Sequence, residues 1–259
     1  MNRQAQACLM ILFGGAVLRA SVTDLYLRYV KEGLRPFLIA ASLLLIAAAV
    51  MTLWYELRPA PATAANTSAQ RDQPAADGRD DADSMGDSGD HHAHHEPRVA
   101  WLLILPVLGL LLVAPPALGS YAAGQAGTAL TAQQDYDYPP LPAGDPAKTT
   151  VFDYAARALF DKGQSIGDRR VQLTGFITPG PDGQPILARM ILSCCAADGR
   201  PVKLGMAGDV PTGLASDTWI QVTGRYSDRL GRDPVNDEDI PYIDVESWQQ
   251  VTAPTDPYE

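Results

Sequence analysis

Residues 36–54 read PFLIAASLLLIAAAVMTLW, 19 residues without a charge. As a helix, such a run is about long enough to cross the ~30 Å hydrocarbon core of a bilayer. A helix satisfies its backbone hydrogen bonds internally, which is what lets a chain leave water. Residues 99–118, VAWLLILPVLGLLLVAPPAL, meet the same test. Their Pro106 would break a soluble helix, but bilayer helices tolerate proline. Trp54, Tyr55 and Trp101 lie near segment ends, where interfacial aromatics belong.

A first apolar run, about 5–22, is interrupted by Arg19. A cleaved signal peptide or an interfacial helix would explain it. No small-x-small cleavage site follows, however, and a second apolar run comes within a short loop. The reading taken is a span with Arg19 snorkelling to the surface. Three spans in a cell membrane put the termini on opposite faces, with the lipid bilayer as the first partner. Arg19, Arg28, Lys31 and Arg35 pull the first loop inward. Against that, Arg3 precedes the first span, and Arg98 precedes a third span with no basic residue after it until Lys148. The expectation is a cytoplasmic N-terminus and an extracytoplasmic C-terminal domain.

This divides the chain into two spans (1–55), a polar loop (56–98), a third span (99–118), a linker (119–148) and a soluble domain (149–259). The loop is rich in Ala, Asp, Gly, Pro and Ser and lacks the apolar content for a core. It ends in GDHHAHHEPR, which holds all four histidines of the chain: His91, His92, His94 and His95. Clustered imidazoles beside Asp90 and Glu96 suit zinc, copper or nickel. The plain alternative is a low-complexity loop that drifted into a histidine run.

In the soluble domain, Thr150 and Asp153 make a helix start, and Val151, Phe152, Ala155, Leu159 and Phe160 form an apolar stripe up to a stop at Gly163. Five strands are expected at 171–177, 186–194, 201–206, 218–226 and 242–251. In these runs β-branched and aromatic residues alternate with polar ones between Gly, Pro and Asp clusters. Gly175 and Gly224 inside strands allow bulges. The fold class is α+β: transmembrane helices, then a small OB-like β-barrel with one covering helix. A small β-sandwich is the rival. A net charge of -10 argues against nucleic acid as a partner, because phosphate binding needs Lys and Arg.

Cys8, Cys194 and Cys195 are the only cysteines. Cys8 sits in the first apolar run. Cys194 and Cys195 are adjacent, so in extended chain they face opposite ways. Both reach one metal only if the strand breaks at the AADG turn that follows, where Asp198 is close enough to assist. The alternative is that one cysteine fills the core and the other caps the turn. Thioredoxin-like spacing is absent, and no histidine nearby completes a Cys-His pair. No nucleophile elbow, phosphate loop or HExxH motif is present, so no catalytic group is assigned. The acidic run at 228–239 lacks the ligand alternation of an EF-hand and reads as a solvated loop.

The stretch ILSCCAADGRPVKLG, with Cys194, Cys195, Ala196, Ala197 and Asp198 followed by Pro201 and Val202, resembles the YcgQ-like family of uncharacterised bacterial membrane proteins. Tyr29, Val30 and Pro36 fit as well. The resemblance implies a partner, a predicted multi-span permease encoded alongside, and implies no activity. The expected function is therefore an accessory subunit of a permease handling zinc or another transition metal, with Cys194, Cys195, Asp198 and the four histidines as ligands. A metal-responsive sensor without transport and a membrane-anchored thiol enzyme are the alternatives.

Overall fold

The computed structural model describes residues 3–58, 115–130, 138–181 and 183–259. Two helices, α1 (Arg3–Val22) and α2 (Arg35–Leu57), form a hairpin. Small residues lie at their contact: Ala7, Gly14 and Ser21 on α1, Ser42 and Ala49 on α2, all buried. A Cβ on Gly14 would stand 2.9 Å from Ile46 Cγ1 and 3.2 Å from the Ser42 carbonyl oxygen, so its absence sets how closely the helices approach. Leu12, Phe13, Phe37, Leu44, Val50 and Trp54 are exposed. Small residues inside and large apolar ones outside is how helices associate in lipid rather than in water.

Glu32–Tyr55, 24 residues of mean hydropathy 2.4, is long and apolar enough to cross a membrane. Among the described residues no other helix is, so one of the three expected spans is matched there. The apolar part of α1, Gln6–Val22, is shorter. Residues 99–114 lie outside the described residues. Residues 115–118 are not helical: Pro115 and Pro116 have no N–H to give to a helix, and Ala117 and Leu118 pack against the β domain. The turn of the hairpin is fastened by Arg35. Its Nε donates to the Ser21 carbonyl at 3.0 Å, at the end of α1 where carbonyls lack helical partners.

The C-terminal region is a closed five-strand barrel. β2 (Val171–Pro179) pairs antiparallel with β3 (Pro185–Ile191), and β3 pairs antiparallel with β4 (Arg200–Gly208). β4 runs parallel to β6 (Asp239–Gln250), β6 antiparallel to β5 (Trp219–Arg232), and β5 returns to β2. A short β1 (Ala147–Lys148) lies parallel to the start of β2. Leu173, Leu187, Val202, Leu204, Ile220, Val222 and Ile243 fill the interior. The β5–β6 register shifts at Thr223/Gly224, where a Cβ on Gly224 would strike the Asp244 carbonyl, so only glycine fits this bulge.

The covering helix contacts every barrel strand. It comes after α3 (Ser120–Gln125) and is labelled α4 (Val151–Phe160). Thr150 caps it, its hydroxyl accepting the Asp153 N–H at 2.9 Å. Val151, Tyr154, Ala155 and Ala158 face inward, and the helix stops before Gly163, which takes a φ of +73°. The described residues of the expected linker, 119–148, include packed segments. α3 packs on β2, β3 and β4, and Ala123, Leu130, Leu141 and Ala147 are buried. The acidic run at 228–239 covers the end of β5, the turn 233–238 and the first residue of β6. Its Asp233 is buried against Lys203 on β4, with Nζ and Oδ2 2.9 Å apart.

Candidate functional site

β3 ends at Ile191, three residues earlier than expected, so both cysteines lie on the β3–β4 connection rather than on a strand. Asp198 shapes that connection. Its Oδ1 accepts the Ser193 N–H at 2.8 Å, and its Oδ2 accepts those of Cys194 at 2.8 Å and Cys195 at 3.2 Å. The Asp198 N–H in turn points at the Cys195 side chain, closing a capping box around the 3-10 turn Ala196–Asp198. Three consecutive N–H groups drawn to one carboxylate bend the chain, and the bend brings adjacent cysteines to one side. The sulfurs and a carboxylate oxygen of Asp198 all lie within 4.8 Å of one another. Cys194 is exposed, and Cys195 and Asp198 are half-buried.

The electrostatics follow from the same geometry. The Cys194 thiol donates to Asp198 and also lies beside Cys195, which pushes its pKa up to about 12. The hydrogen bonds from Cys194 and from the backbone hold Asp198 down at about 2. At neutral pH Cys194 is therefore a protonated thiol, the reverse of the depressed pKa that an activated nucleophile needs. A metal ion would have to displace that proton before taking the sulfur. The two thiolates suit a borderline or soft cation, and the carboxylate, already accepting three N–H groups, is the weaker third donor. Three donors leave a fourth tetrahedral position open, as in sites that exchange a ligand.

The site is bonded to the helical hairpin, which sequence reasoning missed. Val30, in the α1–α2 turn, forms an antiparallel bridge with Cys195. Lys31 N–H donates to the Cys194 carbonyl at 3.1 Å, and Ala196 N–H donates to the Tyr29 carbonyl at 2.7 Å. Lys31 Nζ reaches the Leu192 carbonyl at 3.2 Å. The Tyr258 hydroxyl donates to the Arg28 carbonyl at 2.7 Å and accepts from Leu118 N–H at 2.9 Å. The available signal was that Tyr29 and Val30 shared the resemblance carried by the cysteine stretch. His91, His92, His94 and His95 lie outside the described residues. Cys8 is on α1 and takes no part in the cluster.

Residues 153–259 match the model of the DUF1980 C-terminal domain. The match takes in nearly all of α4, the five barrel strands, and the Cys194, Cys195 and Asp198 loop. The DUF1980 C-terminal domain family has no established function. No curated protein and no solved structure matches the chain.

Proposed function

We propose that the chain is a membrane-anchored accessory subunit of a permease and that it handles zinc or another transition metal at the Cys194, Cys195 and Asp198 loop. The observation that carries this reading is the convergence of three donor atoms within 4.8 Å on a loop that is itself hydrogen-bonded to the turn of an apolar helical hairpin. A metal bound there is one backbone hydrogen bond away from the turn that joins the helices that would dock a permease. Those helices turn large apolar side chains outward, towards lipid or a partner. The barrel order β2-β3-β4-β6-β5 supports the OB-like reading, a fold that hosts many functions. The His cluster would raise the local metal concentration.

A multi-pass arrangement is part of the proposal. The α1–α2 turn and the barrel share one membrane face because they are bonded together. If α2 crosses, its C-terminal end stands on the other face. The chain is back beside the turn at Pro115, whose carbonyl accepts from the Tyr29 hydroxyl at 2.7 Å. That return supports a further crossing between them, where 99–118 reads as apolar. The sequence expectation makes the shared face extracytoplasmic, whereas Arg19, Arg28, Lys31 and Arg35 on it pull toward the cytoplasm. Labelling the exposed Cys194 with a membrane-impermeant thiol reagent in intact cells decides the face. The sensor alternative has one observation in its favour: the backbone is bonded to the turn on both sides of Cys195, so a change at the sulfurs reaches the helices.

The test is the metal content and affinity of the detergent-purified chain, by elemental mass spectrometry and competition titration. Three forms are compared: the parent, one with all four histidines changed to Ala, and one carrying Cys194→Ser and Cys195→Ser. Loss of stoichiometric metal in the Cys form alone is the expected result. No tight metal in any form would end the metal reading. A chain that purifies without a permease, and whose deletion leaves cellular metal unchanged, would end the accessory-subunit reading.

A further inference from the structure

A second constellation of charged groups lies away from the cysteines, where β3, the start of α4 and residues 254–259 meet. Arg189 on β3 is 7% exposed. Its Nη2 donates to the carbonyls of Asp256 at 3.0 Å and Tyr258 at 3.3 Å, and its guanidinium lies 4.7 Å over the Trp219 ring. Its Nε and Nη1 are buried and have no hydrogen-bond acceptor among the described residues. Leaving buried donors of a charged group idle is costly, and such a group calls for an explanation. The nearest carboxylate oxygen, Glu259 Oε1, is 3.6 Å from Nε, close enough for ionic attraction but too long for a hydrogen bond.

Arg189 lines a cleft of about 380 Å³ together with Lys148, Gln172, Thr174 and Gln221. Thr149 and Thr150, at the N-terminus of α4, line it too. The first N–H groups of a helix have no partner within the helix and favour an anion. Here they have one: Val151 N–H donates to Glu259 Oε1 at 3.1 Å, and Phe152 N–H donates to Oε2 at 3.0 Å. A helix N-terminus and a buried guanidinium thus converge on a single carboxylate. A carboxylate has two oxygens, and the helix takes both. A tetrahedral phosphoryl group can meet the same two N–H groups and still turn an oxygen to the idle Nε–H, a charge-assisted bond that the carboxylate leaves unmade.

We propose that this cleft binds the phosphoryl group of a small solute, and that Glu259 holds the anion position in the structure until such a ligand displaces it. Lys148, exposed at the rim, adds the second positive charge that a phosphate dianion needs. Gln172, Thr174 and Gln221 offer hydrogen bonds to the remainder of the solute. Free phosphate and a phosphate monoester share the recognition chemistry and differ only in whether those walls are used.

The test is isothermal titration of the full chain in a detergent without phosphate, at fixed ionic strength, with inorganic phosphate and with glycerol 3-phosphate. Glu259→Gln removes the competing charge and should tighten phosphate binding at least tenfold over the parent. Adding Lys148→Met, a change at an exposed side chain, should reverse most of that gain, as should Arg189→Gln. Tighter binding of the ester marks a phosphorylated solute as the ligand, and equal binding marks free phosphate. Should Glu259→Gln not fold, the parent decides: its melting midpoint must rise with phosphate, not with chloride at equal ionic strength, and rise less in Lys148→Met. Phosphate binding no tighter in folded Glu259→Gln, or unaffected by Lys148→Met, would overturn the proposal and leave Arg189 and Glu259 as a clasp for the tail.

Discussion

Lys203 and Asp233 form an ion pair with both side chains out of water, 5% and 0% exposed, and Nζ to Oδ2 at 2.9 Å. Asp233 has two further donors. Its Oδ2 accepts the Thr128 N–H at 2.8 Å and its Oδ1 the Val235 N–H at 3.0 Å. One carboxylate thus ties β4, the turn between β5 and β6, and the segment leading from α3 into the barrel. Lys203→Met keeps most of the apolar stem and deletes the charge, so packing is largely preserved while a carboxylate stays buried without its cation. Breaking a buried pair this way costs about 3–5 kcal/mol. The two remaining N–H donors put the expected loss at the lower end, about 3 kcal/mol. At roughly 4 °C per kcal/mol for a domain of this size, the melting midpoint should fall by about 12 °C. The assay is thermal denaturation of the full chain in detergent, followed by near-ultraviolet circular dichroism at one fixed scan rate. Adding Asp233→Asn removes the stranded charge and should recover at least ~1 kcal/mol over the single variant. A fall below about 4 °C in Lys203→Met, or a double variant no better than the single, would refute the assignment of the cost to an unpaired buried charge.

Two further outcomes follow from the cysteine loop and its contacts. Tyr258→Phe leaves the Leu118 N–H and the Arg28 carbonyl without their shared hydroxyl, at about 1–3 kcal/mol. Faster amide exchange at Leu118, with exchange in the β2–β5 pairing unchanged, is the expected signature, and unchanged exchange at Leu118 would count against it. The Asp198 carboxyl is held at about 2, below its ordinary 3.8, so its hold on the loop is complete above the ordinary value and is lost as pH falls through about 2. Amide resonances of Ser193, Cys194 and Cys195 should therefore titrate together near pH 2 and stay flat in Asp198→Asn; a common midpoint near 4 would show that the three hydrogen bonds are not formed in solution.

What the sequence disclosed was what short-range chemistry encodes. The Thr150 cap and the Gly163 stop depend on neighbours a few residues away, and both are where the pattern places them. The five strands stand at the five alternating runs, and Gly224 marks the bulge. The cysteine pair drew attention because the AADG turn permits a bend, and Asp198 supplies it. What was not legible depends on distant partners. β6 runs parallel to β4, a pairing no alternation of residues announces. α3, built from Ser, Tyr, Ala, Gly and Gln, has no apolar stripe to read and is held by packing on the barrel. Arg189 and Glu259 are remote in sequence and look like ordinary surface charges until the fold buries them. Of the expected third span only residues 115–118 are described, and their two prolines keep them out of a helix.

The bridge between Val30 and Cys195 joins residues 165 positions apart. At about 5–20 residues per second on the ribosome, the turn exists for roughly 8–33 seconds before the loop it pairs with has been made. Whatever orients the hairpin must act in that interval, with no help from the barrel. On the proposed membrane insertion, orientation would be set before the barrel is made, and the barrel would inherit it. On that same proposal, a change in the charges of the turn would carry the cysteine loop to the opposite compartment without altering a single residue of the domain that holds it.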